Sequence, residues 1–291
     1  MTVDLNPQEF FLLSQFIERQ SGIMLKENKA YLIKNRLSHL VTEYKCRSFA
    51  ELYFRLRNEP AGSPMVTSLV DAITTGETSW LRDRQPFRIL RGRLIPQYHQ
   101  EIVDGLRSRI DILSIGCSTG QEPYSSAMAA LDAYGAYGGE KICSEQVHIV
   151  ALDISKTCLA AARRAEYDHV AMGRGLNLEY QERYFRKSEK GTWFVRDKVR
   201  DLVSFRPFNI GDKRWDLGLF DIVFLRNVAI YFSDTLKCAI FDKTTRIMRS
   251  GAFLFLGTGE TVSGYTTLFD ILEDEGAIYY RFKSRESQHA E

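Results

Sequence analysis

Apolar residues in the first quarter of the chain recur every three or four positions, which is the spacing of a helix buried on one face. The segment NPQEFFLLSQFIERQSG opens on Asn6 as a capping residue, has Glu9 at the matching position of a capping box, and ends at Gly22. Similar patterns predict helices at about 28–44, 48–57 and 65–74. We therefore expect residues 1–75 to form an all-helical domain.

The pattern changes after one further helix, which is predicted from Asp83 to about Asp104. Short, nearly continuous apolar runs then alternate with helix-length segments, and these runs are RIDILSIG, QVHIVALDIS, FDIVFLRNVAIYF and GAFLFLGTGE. Such runs are typical of parallel strands covered by helices on both faces. We expect residues 76–108 to be a linker with a connecting helix, and residues 109–291 to form a doubly wound α/β domain with a last strand at 277–283.

The alternation of strands and helices is interrupted between about 168 and 206. Two segments in this region, GTWFVRDKV and DLVSFRPF, alternate apolar and polar residues near the turn KSEKG. We expect them to be antiparallel strands of a small β-subdomain inserted in the larger domain.

The stretch LSIGCSTGQEPYS predicts a ligand site at the end of the first strand. In doubly wound sheets, ligands lie outside the carboxyl ends of the strands, and a helix N-terminus there favours negative charge. The dinucleotide fingerprint needs glycine at its first, third and sixth positions, where this chain has Gly116, Ser118 and Gln121. A site for NAD is therefore disfavoured.

Asp153 ends the next predicted strand, in IVALDIS. A carboxylate at this position can accept hydrogen bonds from two ribose hydroxyls, which favours a nucleoside-containing cofactor without a pyrophosphate. The alternative is that Asp153 only caps the helix that begins after Ser155.

The composition of the 291 residues, with 44% hydrophobic and 26% charged residues, is that of an ordinary globular protein. No apolar run approaches the roughly 20 residues that span a bilayer. No signal pattern begins the chain, so we expect a cytoplasmic protein without membrane insertion. Five cysteines without a CxxC pair favour a reducing compartment, and five scattered histidines give no reason to expect a metal site.

The formal net charge of +2 gives no reason to expect a nucleic acid partner. The charge is uneven, however, because residues 28–57 hold seven Lys and Arg residues against two acids. A basic face of this kind attracts acidic partners, although a solvated helical surface explains it equally well.

Five motifs occur in one order along the chain: TTGETSWLRD at 74–83, GCSTGQEPYS at 116–125, ALDIS at 151–155, FNI at 208–210 and LRNVAIYF at 225–232. Together they closely resemble the signatures of the CheR-type chemotaxis receptor methyltransferases, and the resemblance covers nearly the whole chain. It implies a class I S-adenosylmethionine-dependent methyltransferase fold, with S-adenosylhomocysteine as the product of the cofactor. It also implies methylation of glutamates on receptor signalling helices, giving the methyl esters of sensory adaptation.

The resemblance further implies roles for single residues of these motifs. Asp153 would hold the ribose hydroxyls, Glu122 would lie near the methionine ammonium, and Thr78 would close the site from the N-terminal side. The other cofactor-binding residues would lie in the glycine loop, beside the adenine, or beneath the cofactor and at its methyl end: Gly116, Asn209, Ile210, Arg226, Asn227 and Arg82.

Several of these residues have a structural alternative. Asn209 could be a turn residue, Arg226 could form a structural ion pair, and Thr78 could cap the following helix. We interpret Cys117 as a small loop residue rather than a nucleophile, because methyl transfer needs no covalent enzyme intermediate.

A glutamate acceptor is ionised at neutral pH, since its ordinary pKa is about 4.3, and it needs no general base. The remaining requirements are in-line positioning and removal of water. We expect Arg82 and Tyr231 to be the catalytic residues, because the family places their motifs at the methyl end of the cofactor. The alternative is that either residue serves packing or a surface ion pair.

The implied partner is an acidic, glutamate-bearing receptor helix. We expect it to dock on the basic stretch of the helical domain, with Lys34, Arg36, Lys45 and Arg47 as partner-binding residues. We expect the protein to be a monomer.

The sequence departs from the family pattern at two places in TTGETSWLRD and at one turn. Gly76 stands where many members have asparagine. The residues SWL, with Trp80 at their centre, replace an aromatic pair. We expect these changes to reshape the wall of the site on the substrate side. The turn KSEKG is short compared with relatives that bind a receptor C-terminal pentapeptide, so we expect no dependence on such a tether.

Two other functions remain open on the sequence. The first is a methyltransferase with another acceptor, against which the absence of an Asn/Asp-Pro-Pro-aromatic motif argues. The second is a non-catalytic module that binds S-adenosylmethionine in signalling, which the changes at Gly76 and Trp80 keep open.

Overall fold

The computed structural model describes residues 4–136, 145–274 and 276–283. The last eight residues of the predicted larger domain, 284–291, lie outside the described residues. The chain begins with four helices: α1 (Pro7–Ser21), α2 (Ala30–Glu43), α3 (Phe49–Leu56) and α4 (Pro64–Ile73).

The capping signals at the start of the chain are confirmed. Asn6 Oδ1 accepts a hydrogen bond from the Glu9 N–H at 2.9 Å, and the Glu9 carboxylate accepts one from the Asn6 N–H at 3.0 Å. Gly22 ends α1 with φ of 78°, a left-handed conformation that glycine adopts without steric penalty. The apolar faces of the four helices enclose one core, whose fully buried members include Leu13, Leu37, Leu52 and Leu69.

The connecting segment begins later than predicted and is not one regular helix. Asp83 and Arg84 have φ of 64° and 43°, so helical geometry cannot start before the following residue. The segment then runs through α5 (Gln85–Ile89), one π-helical turn (Leu90–Leu94) and α6 (Ile95–Val103).

A seven-stranded sheet forms the larger part of the molecule, in the order β6-β2-β1-β7-β8-β10-β9. The strands β6, β2, β1, β7 and β8 pair in parallel, and β10 pairs antiparallel with both β8 and β9. The predicted class I methyltransferase architecture is therefore confirmed. The strands of this sheet are β1 (Ile110–Ile115), β2 (Val147–Asp153), β6 (Val203–Pro207), β7 (Phe220–Leu225), β8 (Met248–Leu256), β9 (Phe269–Asp274) and β10 (Ala277–Phe282).

Helices cover both faces of this sheet. They are α7 (Gln121–Ala136) after β1, α8 (Lys156–Arg164) after β2, and α12 (Asp234–Arg246) after β7. The strand order reverses between β1 and β7, because the chain leaves β1 toward β2 and later returns to the other side of β1. A ligand site is expected where these two carboxyl ends diverge.

One predicted strand lies in a different sheet from the one expected. DLVSFRPF was predicted to be an antiparallel strand of the inserted β-subdomain, and this is wrong: it contains β6, which pairs in parallel with β2 from Ile149–Val203 to Asp153–Pro207. The physical reason is that β6 is an edge strand, only partly buried along its length. An edge strand of a parallel sheet alternates apolar and polar residues as an antiparallel strand does, so the two are indistinguishable by pattern.

The small antiparallel sheet has the order β3-β5-β4 and is confirmed as a separate unit. GTWFVRDKV contributes its central strand, but the sequence analysis missed the two outer strands and β9. Asp132 on α7 anchors this unit. Its carboxylate accepts hydrogen bonds from the hydroxyls of Tyr180 and Tyr184 and forms an ion pair with Arg183. The elements are β3 (Glu166–Tyr167), α9 (His169–Met172), α10 (Leu178–Tyr184), β4 (Phe185–Lys187), β5 (Trp193–Val195) and α11 (Asp197–Arg200).

Within the described ranges, no helix has the length and apolar character needed to cross a membrane.

Candidate active site

A cleft of about 220 Å³ opens at the carboxyl ends of β1, β2 and β7. The sheet supplies its floor, and the helical domain supplies a wall through residues that include Met24, Leu25 and Arg36. Of the predicted catalytic and cofactor-binding residues, nine line this cleft: Thr78, Arg82, Gly116, Glu122, Asp153, Ile210, Arg226, Asn227 and Tyr231.

The turn after β1 passes close to the turn after β7, and Gly116 makes this possible. Its φ is 74°, and a Cβ built on it would lie 2.4 Å from Cγ2 of Val228. Any side chain would therefore separate the two turns that form the cleft floor.

Asp153 sits at the end of β2, with its carboxylate on the turn after β1. One oxygen accepts a hydrogen bond from the Ser118 N–H at 2.7 Å, and the other accepts one from the Ser155 N–H at 2.8 Å. Ser155, not Asp153, caps α8 with its side chain, so the capping alternative for Asp153 is not what the structure has. Burial raises the pKa of Asp153 although these N–H groups oppose the shift.

Glu122 lies in the first turn of α7, and its side chain is 12% exposed. One of its oxygens accepts from the Ser114 hydroxyl at 2.8 Å, and the other accepts from Arg226 Nη1 at 3.0 Å. Burial raises its pKa above the ordinary value of 4.5, and the neighbouring guanidinium offsets only part of that shift.

Arg226 follows β7, and its side chain is 1% exposed. Besides Glu122, it binds the carbonyl oxygen of Arg82 at 2.9 Å and Oδ2 of Asp83 at 2.6 Å, both through Nη2. Among the described residues its buried Nε has no hydrogen-bond partner. The geometry thus matches the ion-pair alternative, and it leaves one donor of this side chain unengaged at the cleft.

Three residues of the cleft, Arg82, Tyr231 and Thr78, have polar groups without a hydrogen-bond or ion-pair partner among the described residues. Their guanidinium and hydroxyl groups form no hydrogen bond or ion pair within the described ranges, and the Arg82 guanidinium lies near enough to Glu122 to favour the ionised carboxylate. Thr78 does not cap a helix, because the next helix begins at Gln85.

Asn209 lies beside the cleft, and its amide is engaged at both ends. Its Nδ2 donates to the carbonyl oxygen of Gln20 at 2.8 Å, and its Oδ1 accepts from the Gly211 N–H at 2.9 Å. The side chain therefore joins α1 to the turn after β6 and also fits the turn alternative. Ile210, the next residue, is the one that lines the cleft.

Glu260 is a residue that the sequence analysis missed. Its carboxylate accepts four backbone N–H groups, from Asn227, Val228 and Ile230 after β7 and from Gly257 after β8, at 2.6–3.2 Å. These bonds fix the turn that carries Asn227 and Tyr231. The acid in GTGE, four residues after the end of β8, is the only signal in the sequence, and its partners are backbone groups that carry no signal.

The basic residues of the helical domain have different environments. Arg36 faces the cleft and donates to the carbonyl oxygens of Ile73 and Thr74 at 2.7 and 3.2 Å, so it supports the segment after α4. Lys34 pairs with Asp4 at 2.6 Å on the surface. Lys45 and Arg47 are exposed just beyond the end of α2.

Gly76 and Trp80, the two residues at which the chain departs from the family pattern, differ in their environment. Gly76 lines the cleft, and its carbonyl oxygen accepts the Ser118 hydroxyl at 2.8 Å. Trp80 is buried between Tyr167 and Phe185, with ring centroids 4.7 and 5.0 Å away. Trp80 packs the β-subdomain against the core and does not line the cleft, so of the two departures only Gly76 contributes to the cleft wall.

Cys117 is buried beneath the glycine loop, and burial raises the pKa of its thiol well above the ordinary value. A thiol that stays protonated is a poor nucleophile, which agrees with a small loop residue.

Comparison with known families decides what the cleft binds. Residues 8–74 match the family model described as the CheR methyltransferase all-alpha domain, and residues 76–278 match that of the CheR methyltransferase SAM binding domain. The chain belongs to the CheR methyltransferase family. The resemblance inferred from the five motifs is thereby confirmed, and the protein is an S-adenosylmethionine-dependent methyltransferase.

Curated CheR relatives match over nearly their whole length. The chemotaxis protein methyltransferase Cher2 of Pseudomonas putida is 38% identical over 92% of this chain and 95% of its own. The chemotaxis protein methyltransferase of Vibrio parahaemolyticus is 38% identical over 97% of this chain and 99% of its own. Chemotaxis protein methyltransferase 1 of Pseudomonas aeruginosa is 38% identical over 94% of this chain and 98% of its own.

The residues of the cleft fit S-adenosylmethionine. Each Asp153 oxygen accepts one backbone N–H and keeps a lone pair for a ribose hydroxyl. The apolar residues Leu152, Phe208 and Ile210 also line the cleft and suit a flat base. Buried Glu122 is a charge that a cationic ligand would compensate.

We predict that the affinity for S-adenosylmethionine decreases as the pH is lowered, because Glu122 becomes protonated. Burial raises the pKa of Glu122 above its ordinary value, and only the ionised carboxylate attracts a cation, so acidification from neutral pH should weaken S-adenosylmethionine binding. Isothermal titration calorimetry at decreasing pH should show the decline in the native chain. Glu122→Gln, which keeps the shape and loses the charge, should bind more weakly at neutral pH and with a flatter pH profile.

Glu182→Gln on α10, an exposed site, is the matched control and should keep the native profile. A native profile in Glu122→Gln, with thermal denaturation confirming that it is folded, would contradict the assignment.

Proposed function

We propose that this chain methylates glutamate side chains on the signalling helices of chemotaxis receptors. The observation that carries this proposal is a cleft in which every acid is engaged and the guanidinium of Arg82 is not. Glu77 pairs with Arg174 at 3.0 Å, while Glu122 and Asp153 have the partners described above.

The absence of a free base in the described cleft favours a carboxylate acceptor. No histidine lines it, and its acids are held by a guanidinium or by backbone N–H groups. An alcohol or ammonium acceptor must lose a proton and needs a base within reach. A glutamate carboxylate is already ionised and can attack directly.

Different residues of the cleft bind the cofactor and the acceptor. Bound S-adenosylmethionine supplies a methyl group on a cationic sulfur, together with its own leaving group. Asp153 holds the ribose, Glu122 lies toward the cationic methionine part, and Thr78, Asn227 and the backbone at Gly116 complete the enclosure. Ile210 packs on the base, with Asn209 supporting it from behind.

Arg82 and Tyr231 orient the acceptor. A guanidinium presents a planar pair of donors that suits a carboxylate, and a phenol can donate one further hydrogen bond. The side chains also displace water from the attacking oxygen. Moderate attraction is an advantage here, because very tight binding of the ground state lowers the reactivity of the carboxylate.

The receptor assignment is supported by the relatives, whose names are those of chemotaxis protein methyltransferases. We further propose that the receptor helix docks on the basic end of α2, that no pentapeptide tether is needed, and that the enzyme acts as a monomer in the cytoplasm.

We predict that co-expression with a methyl-accepting chemotaxis receptor produces base-labile methyl esters on receptor glutamates. Mass spectrometry of receptor peptides, before and after mild alkali, detects a gain and loss of one methyl group at the modified residue. A receptor truncated at its C-terminal pentapeptide should be methylated as fast as the full receptor.

Methyl groups on a different acceptor would overturn the glutamate assignment, and cofactor binding without any transfer would favour a non-catalytic module. Slow methylation of the truncated receptor alone would overturn only the independence from a tether.

Arg82→Ala should reduce methyl transfer more than cofactor binding. Loss of one positioning contact is expected to lower kcat by about ten- to a hundredfold, with S-adenosylhomocysteine affinity changed by less than about threefold. Filter assays with labelled cofactor give kcat, and calorimetry gives the affinity. Turnover within a few-fold of the native enzyme would show that Arg82 does not position the acceptor.

Charge reversal at the exposed pair Lys45 and Arg47 should weaken receptor methylation. The effect is expected to be about three- to tenfold at low ionic strength and to shrink as salt screens the charges. Initial rates at several salt concentrations check this. The control is charge reversal at Lys213 and Arg214, two consecutive exposed residues outside the helical domain. Equal rates for both double variants at low salt would contradict this docking face.

A further inference from the structure

The segment that carries Arg82 has an unusual backbone. Leu81, Asp83 and Arg84 are non-glycine residues with φ of 47°, 64° and 43°, so both neighbours of Arg82 are in left-handed conformations. Residues with a Cβ avoid this region. Two adjacent residues with positive φ keep this conformation only where surrounding contacts impose it.

The contacts that impose it come from both sides of Arg82. The Leu81 N–H donates to the Ser125 hydroxyl at 3.0 Å, which ties the segment to α7. On the other side, Nη2 of Arg226 holds the Arg82 carbonyl oxygen at 2.9 Å and Oδ2 of Asp83 at 2.6 Å. Because Arg226 also pairs with Glu122, its orientation is fixed from a third direction.

We propose that Asp83 is a positioning residue for Arg82 and acts through the buried guanidinium of Arg226. The proposal rests on the proposed function of Arg82 as the group that orients the acceptor. Asp83 and Arg226 hold the backbone of Arg82 in one conformation, so that its own guanidinium reaches the cleft with few conformations to lose on binding the acceptor.

The division of contacts supports this assignment. Two cations meet at this point of the cleft, and one of them, Arg226, is buried and engaged by two carboxylates and a carbonyl oxygen. The other, Arg82, contributes its carbonyl to that cluster while its side chain stays unengaged within the described chain. The side chain of Asp83 is 40% exposed, so its contribution is the geometry of the bond more than burial of its charge.

A double-mutant cycle on the full-length enzyme tests the proposal. Asp83→Ala should lower kcat for receptor methylation by about tenfold, with S-adenosylhomocysteine affinity within about twofold of native. In an Arg82→Ala background, Asp83→Ala should lower kcat no further, because the group that it positions is gone. Asp83→Asn keeps a hydrogen-bond acceptor for Arg226 and should restore part of kcat.

Asp242→Ala, which removes an exposed ion pair with Arg246 on α12, is the matched control and should keep native kcat. The proposal is overturned if Asp83→Ala lowers kcat equally in both backgrounds, or if cofactor affinity falls in parallel with kcat. If Asp83→Ala fails to fold by thermal denaturation, Asp83→Asn in the two backgrounds decides by the same criterion. A native enzyme that methylates no glutamate, or an Arg82→Ala variant with native kcat, would instead overturn the proposed function.

Discussion

The buried guanidinium of Arg226 is the interaction on which the architecture of the cleft depends. It joins the end of β7 to Glu122 in the first turn of α7 and to the segment that carries Arg82. A buried charge is tolerated only with matched partners, and removing one partner of a buried ion pair costs roughly 3–5 kcal/mol. One buried charge therefore joins Glu122, on the proposed cofactor side of the cleft, to the segment that carries Arg82, on the proposed acceptor side.

The helical domain also holds parts of the cleft in place. The Met24 N–H donates to the carbonyl oxygen of Tyr231 at 2.9 Å, and Arg36 holds the carbonyl oxygens at the end of α4. The helical domain thus supports the turn with Tyr231 and the segment that leads to Thr78. A partner docked on α2, as proposed above, would contact a helix that also supports the cleft through Arg36.

The sequence was sufficient for the elements that repeat a periodic pattern and for the residues that occur in motifs. The capped α1, the buried central strands and the acids Glu122 and Asp153 all follow from pattern, strand ends and resemblance. It was insufficient where the deciding partner is distant in the chain or has no side-chain signal. The edge strand β6 has the residue pattern of an antiparallel strand, and the partners of Glu260 among the described residues are backbone N–H groups. Nothing in the motif around Trp80 indicates that this ring is buried under the β-subdomain.

Charge changes during methyl transfer explain why positioning matters more than strong electrostatic binding in this cleft. The proposed reaction would consume a cation on the cofactor and an anion on the glutamate acceptor, so both products would be less charged than the reactants. Groups that bind those charges most tightly would stabilise the reactants more than the transition state. In the proposed mechanism, the Arg82 guanidinium, held in place through its backbone and partly exposed to water, would orient the carboxylate without strongly stabilising the reactants. The same weak attraction vanishes when the ester forms, which favours release of the product.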